Sequence, residues 1–242
     1  MCLLAFLDRP VYITRQTGLS CSYPVAAGTM SKARTPPTPP LPVGYVSAAA
    51  ASAAVEEGPR ERLLRTAYDL FAAHGILATG IDRIVAEAGV AKMTLYRYFA
   101  SKEDLVLAVL DLREEVWSQG WLAYEAERRG ETPVERLLAI FDLFDEWFRR
   151  PDYEGCLFIN SLTEMSGQDN RIVDACVVKR ANIRRWVEGL ATKAGARDPL
   201  EFACRWQVVM AGAIVMALHG DTNSAGNGHR LGELLLQAEG LR

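Results

Sequence analysis

The stretch that most constrains this chain runs from Thr79 to Phe99, where two short apolar-periodic segments are separated by a single glycine. In the first, Ile81, Ile84, Val85 and Ala88 recur at three- and four-residue spacing and so share one helix face. Thr79 with Asp82 three residues on predicts a capping box at its start. Gly89 ends the helix, and Val90 leads directly into a second short helix over about Lys92–Tyr98. Upstream, Arg60–His74 places Leu63, Leu64, Ala67, Leu70 and Phe71 on one face, with Gly75 as a C-terminal stop. Leu95 and Phe99, four apart, are expected to join Val90, Ile84 and Leu70 in a small shared core.

The same grammar continues to the end of the chain. Ser101 with Asp104 predicts the cap of a long fourth helix reaching about Glu127. Thr132-Pro133-Val134-Glu135 is a capping box with proline at the first helical position, opening Val134–Arg149. Pro151 and Gly155 bracket a break before a helix over Cys156–Met165. Asp169 is placed to cap a helix running to about Ala194, stopped by Gly195, and Asp198-Pro199-Leu200-Glu201 opens another to about His219. Asp221–Gly228 reads as a loop and His229–Leu241 as a last short helix. No strand-like alternation competes with this pattern, so the expected class is all-α.

At 242 residues, with 50% hydrophobic and 24% charged side chains, the composition excludes a collagen-like, wholly disordered or disulfide-scaffold protein. The best apolar stretch, Val208–Leu218, is flanked by Arg205 and His219, which suits a buried helix rather than a membrane span. Five widely spaced cysteines, Cys2, Cys21, Cys156, Cys176 and Cys204, have no paired spacing or histidine partners, so single thiols in a cytoplasmic protein are expected, with no metal site and no cofactor. Residues 1–57 carry Pro36, Pro37, Pro39, Pro40 and Pro42 and an Ala/Ser tract at Ser47–Val55, the composition of a disordered extension. Cys2–Leu7 lacks a preceding basic residue and makes a poor signal peptide, and Met30 offers an alternative start.

The net charge of −3 is a weak guide until it is divided. Residues 1–57 carry +1, residues 58–102 carry +3 and residues 103–242 carry −7, so a small basic module precedes a larger acidic one. Two short helices joined by a glycine turn form a helix-turn-helix, whose second helix lies in the DNA major groove. The run Thr79-Gly80-Ile81-Asp82-Arg83-Ile84-Val85-Ala86-Glu87-Ala88-Gly89-Val90-Ala91-Lys92-Met93-Thr94-Leu95-Tyr96-Arg97-Tyr98-Phe99-Ala100-Ser101-Lys102-Glu103 resembles the TetR family of transcriptional regulators, whose pattern, in register from Ile84 onward, is I-A-x-x-A-G-V-S-x-G-T-L-Y-x-Y-F-x-S-K-E. Leu70-Phe71 and Gly75 are similar to the L-F-x-x-x-G ahead of that pattern, and Gly155-Cys156-Leu157-Phe158-Ile159-Asn160 resembles a run in one branch of TetR-like C-terminal domains.

The resemblance implies an extension over 1–57, a three-helix DNA-binding domain over 58–104 and a helical ligand-binding and dimerisation domain over 105–242. It implies DNA contacts at Thr79, Lys92, Met93, Thr94, Tyr96, Arg97, Tyr98 and Lys102. Thr94 and Tyr96 suit phosphate oxygens, Lys92 suits phosphate or guanine, and Arg97 suits the two acceptors of guanine. Lys102 and the amides near Ser101 are expected to clamp a phosphate at a helix N-terminus. Three positions depart from the family pattern: Ala91 removes a serine hydroxyl, Val85 replaces a small alanine at the helix crossing, and Met93 stands where glycine is common.

The acidic part is rich in aromatics, and the resemblance implies a cavity for a small-molecule effector there. Expected wall residues are Trp121, Phe144, Trp147, Phe148, Phe158 and Met210, with Asn160, Ser161 and Gln207 as polar anchors. The resemblance also implies a homodimer through the helices at about 170–194 and 199–219, with Phe202, Val209, Ala213 and Ala217 at the contact, reading a near-palindromic operator. Rival readings are an all-α enzyme using the cavity, or a helical interaction protein without DNA binding. His74, His219 and His229 lie far apart with no nucleophile motif beside them, which argues against the enzyme.

Overall fold

Proline at the first position starts helix α1 (Pro59–His74), and Gly75, at φ 82°, ends it. In this computed structural model residues 58–167 and 170–241 are described. The expected extension over 1–57, the alternative start at Met30 and the Asp169 cap lie outside them. Helix α2 (Ile81–Ala88) stops at Gly89, whose left-handed φ 64° and ψ 39° let its amide reach back to Val85 and Ala86 carbonyls. Helix α3 (Lys92–Tyr98) follows after three residues. Leu63, Ala67, Leu70, Phe71, Ile84, Leu95 and Phe99 are all buried together, as their spacing requires.

The capping expectation at Thr79 is corrected. Gly80 occupies the cap position of α2 with no side-chain bond, and the Thr79 hydroxyl donates backward to the Gly75 carbonyl at 2.7 Å. Ser101 does cap α4 (Lys102–Arg113), accepting from the Asp104 amide at 3.1 Å. The helix then widens into a π segment (Glu114–Ala123), where each turn gains a residue, before returning to α geometry in α5 (Tyr124–Arg129). Gly120 explains part of this widening: a Cβ there would lie 2.8 Å from the Glu115 carbonyl oxygen.

Helix α6 (Pro133–Phe148) starts with the full reciprocal capping box of Thr132 and Glu135. Helices α7 (Leu157–Glu164), α8 (Arg171–Ala194) and α9 (Pro199–Leu218) follow. Asn170 caps α8, its side-chain oxygen accepting from Ile172 and Val173 amides, and Asp198 caps α9. The last helix, α10 (Ser224–Ala238), begins well before the expected His229. The reason lies in tertiary packing. Gly228 and Gly232 sit where a Cβ would approach the Phe141 ring at 2.7 Å and Trp206 at 2.8 Å. These glycines are therefore close-approach positions rather than helix breakers.

Helix α4 packs on both α1 and α8, and so forms a strut shared by the small N-terminal helices and the larger bundle of α6 to α10. No strand occurs among the described residues. Helix α9 has the length and mean hydropathy of a membrane span, a point the apolar-run argument missed. Its Phe202, Trp206, Met210, Ala213 and Ile214 are nevertheless buried in the bundle, as in a core helix.

Both helices expected at the dimer contact keep exposed apolar residues, Val177 and Val178 on α8 and Val208, Met216 and Leu218 on α9. Phe202 and Ala213 are buried within the chain. An apolar groove also lies between α9 and α10, lined by Arg205, Val208, Val209, Leu231, Leu234 and Leu235, with Val208 72% exposed.

Candidate nucleic-acid interface and sensing core

Helix α3 is held by one side and presents the other. Leu95 is fully buried and Phe99 nearly so, which fixes the rotation of this seven-residue helix on α1 and α2. The remaining positions then project outward: Met93 is 79% exposed and Tyr96 43%, and Met93, Thr94, Tyr96 and Arg97 together line one shallow groove. Arg97 is steered by its neighbour. Its guanidinium lies 5.2 Å from the Tyr98 ring centroid and donates to the Tyr98 hydroxyl at 3.1 Å. Lys92 bridges α3 to α2 through Asp82 at 2.6 Å, and this hydrogen bond holds its ammonium above the ordinary lysine range. Both partners are exposed, so the pair can exchange for a stronger anion.

Of the eight expected contact residues, Thr79 is turned inward. Thr79 is fully buried, its hydroxyl engaged by Gly75 and Leu70 carbonyls, so its side chain fastens the α1–α2 turn and does not face a groove. The Lys102 ammonium donates to the Ile76 carbonyl at 2.5 Å. Burial pushes its pKa down, while Glu164 pulls the other way. In this conformation the half-buried Lys102 ammonium, the expected phosphate clamp, has one of its donors on the chain's own backbone.

Glu164 was not anticipated from the sequence. It ends α7, yet its two carboxylate oxygens accept from the Ile76 amide at 2.9 Å and the Leu77 amide at 2.6 Å. A second tie joins Arg171 at the start of α8 to Asp104 at 2.9 Å and Glu103 at 3.3 Å. Nothing local in the sequence signals a contact spanning almost 90 residues.

In the larger bundle, Trp121, Phe144, Trp147 and Phe148 pack together through Trp117, a residue outside the expected set. Trp117 stands 4.8 Å from Trp147, 5.6 Å from Trp121 and 6.4 Å from Phe144 by ring centroids. Tyr153 meets Trp147 edge-on at 5.0 Å and donates from its hydroxyl to the Ile214 carbonyl. Phe158, Ser161 and Met210 are buried. The amide groups of Asn160 and Gln207, two of the expected polar anchors, donate to the Glu154 and Arg180 carbonyls, at 2.9 Å and 2.7 Å. Both tie chain segments together.

Arg113 lies in this cluster at only 2% exposure, its guanidinium 4.6 Å from the Trp117 centroid and 5.6 Å from Trp147. Its position was readable as an anomaly. Val106, Val109, Leu110, Arg113 and Trp117 fall at helical spacing, so the arginine occupies a place in an apolar stripe.

Comparison with known proteins follows the same division. A family model for bacterial regulatory proteins of the tetR family matches residues 63–109. An HTH-type transcriptional regulator encoded in the lacX 3′ region of Lactococcus lactis is 30% identical over 111 residues, 46% of this chain. The chain spans about half of that relative's length, 56%. The Escherichia coli regulator YjdC is 24% identical over 74% of this chain and 93% of its own. Among solved structures, SCO4454, a TetR-family transcriptional regulator from Streptomyces coelicolor, superimposes with a TM-score of 0.69 at 28% identity, covering 75% of this chain and 95% of that one.

Proposed function

The chain belongs to the TetR family of bacterial regulatory proteins, and from that premise we propose that it is a cytoplasmic, homodimeric repressor that leaves its operator when a small molecule binds its larger bundle. The observation that carries the reading is the outward side of α3. Met93, Thr94, Tyr96 and Arg97 form one exposed surface on a helix whose opposite side is locked by Leu95 and Phe99. Tyr96 and Thr94 suit phosphate oxygens, Lys92 is released from Asp82 to phosphate, and Arg97, steered by Tyr98, reads guanine. Met93 gives an apolar contact to a thymine methyl.

In this reading residues 58–104 form the DNA-binding head and 105–242 the sensing and dimerising body. A second copy covers the α9–α10 groove, where Val208, Leu231 and Leu234 are exposed. Two heads then meet a near-palindrome with half-sites about 34–36 Å apart. The second contact becomes intramolecular, which raises affinity without new chemistry. The effector binds the conformation of low DNA affinity better and draws the population toward it.

A gel-shift assay on duplexes flanking the coding region tests the proposal. The wild-type protein should retain one such duplex, and Tyr96→Ala with Arg97→Ala should abolish the shift while helix content and dimer mass stay unchanged. An unchanged shift would overturn the assignment of α3.

A further inference from the structure

We propose that Arg113 and the tryptophans around it recognise the effector, and that the effector is a small, flat organic carboxylate. The inference rests on the proposal that the larger bundle senses a small molecule, and it names the chemistry of that molecule.

The argument begins with unmet hydrogen bonds. Arg113 Nη1 donates to the Tyr68 hydroxyl at 2.5 Å, but its Nε and Nη2 are buried with no partner. Those two N–H groups lie on one edge of the guanidinium, the fork that accepts a carboxylate through two parallel bonds. Glu154 is within the field of Arg113, yet burial pushes its carboxyl pKa up, and Asp152 and Asp69 add to that rise. Arg113 makes no ion pair with it.

The surrounding groups favour the same ligand. The indole N–H groups of Trp117, Trp121 and Trp147 are also buried without partners, as is the Ser118 hydroxyl. An indole N–H only donates, so what this cluster lacks is acceptors. The cation rests against two indole rings, and Trp117 and Trp147 are in direct ring contact. A flat conjugated ring inserted there replaces ring–ring contacts with similar ones. A single buried cation balances one negative charge, which selects a monocarboxylate over a phosphate dianion. Phe148 and Tyr153, only half-buried, form the edge by which such a molecule enters.

The site also has a route to the DNA-binding head. Arg113 ends α4, and the π segment that carries Trp117, Ser118 and Trp121 begins at the next residue. Tyr68, the one hydrogen-bond partner of Arg113, belongs to α1. A carboxylate taken up on Nε and Nη2 pulls the guanidinium away from Tyr68, and so loosens a bond between the strut and the head.

Tryptophan emission of the full chain, without DNA, provides the test, using 1-naphthoate and benzoate against the neutral 1-naphthamide and benzamide. Each acid should quench saturably and bind about tenfold or more tightly than its amide. Arg113→Gln should remove that preference, bringing the acids down to the affinity of their amides. If Arg113→Gln does not fold, Arg113→Lys, which keeps the charge but not the parallel fork, should reduce the preference. Equal binding of acid and amide, no saturable quenching by either acid, or a preference that survives both substitutions would overturn the inference. Operator binding is measured separately by gel shift. An acid preference without DNA binding supports the site and sinks the repressor, and DNA binding without an acid preference sinks the site alone.

Discussion

Thr79 and Arg97 show how two polar residues in one recognition module divide the work. Thr79 spends its hydroxyl on the Gly75 carbonyl, inside the head. Replacing it by valine keeps the shape and removes the bond, so Thr79→Val should cost about 1 kcal/mol of stability in thermal or urea unfolding. Arg97 is exposed and its hydrogen bond and ring contact go to the adjacent Tyr98, so Arg97→Ala should leave the melting curve in place. Its effect should appear on DNA as a loss of about 1–3 kcal/mol of discrimination at one base pair. Cys176 supplies a further residue-scale check. Burial pushes its thiol up to about 12, so the thiolate is scarce at neutral pH. Iodoacetamide at pH 8 should leave Cys176 unmodified in the native protein and modify it rapidly once the chain is unfolded.

At the scale of elements, glycine has opposite meanings at positions that look alike in sequence. Gly228 faces the Phe141 ring, where a Cβ would come within 2.7 Å, whereas Gly189 on α8 has nothing within 4 Å. Gly189→Ala should therefore stabilise the protein by about 0.5–1 kcal/mol through helix propensity. Gly228→Ala gains the same propensity but overpacks a buried ring at a cost of about 1–3 kcal/mol, so its melting temperature should fall. This contrast explains what was legible. Capping residues at Ser101, Thr132 and Asp198 and the stop at Gly89 act through local bonds, so their helices were readable in the one-dimensional pattern. The start of α10 was not, because Phe141 and Trp206 act on its glycines through space. The exposed side of α3 was legible for the same local reason as the caps. The backbone carbonyls that engage Thr79, Lys102, Asn160 and Gln207 were not legible, because no residue pattern displays such partners.

For the whole molecule, the account depends on two joints. Between head and body, Glu164 holds the Ile76 and Leu77 amides while Lys102 holds the Ile76 carbonyl. Glu164→Gln weakens two charge-assisted bonds at a half-exposed site, so about 1–2 kcal/mol of stability should be lost. Hydrogen exchange should show faster amide opening at Ile76 and Leu77 than in the wild type. Between copies, Val208→Asp with Leu234→Asp places charge in the apolar α9–α10 groove, and sedimentation should find a monomer that no longer shifts DNA.

The most direct test of the central claim is footprinting of the purified chain on the DNA flanking its coding region, repeated over a salt series. The account predicts one protected stretch with near two-fold symmetry. Its binding constant should fall steeply with salt, as release of counterions by several phosphate contacts requires, and it should disappear with Tyr96→Ala and Arg97→Ala. No protected stretch, or protection that ignores both salt and the α3 substitutions, would contradict the assignment of a DNA-binding regulator.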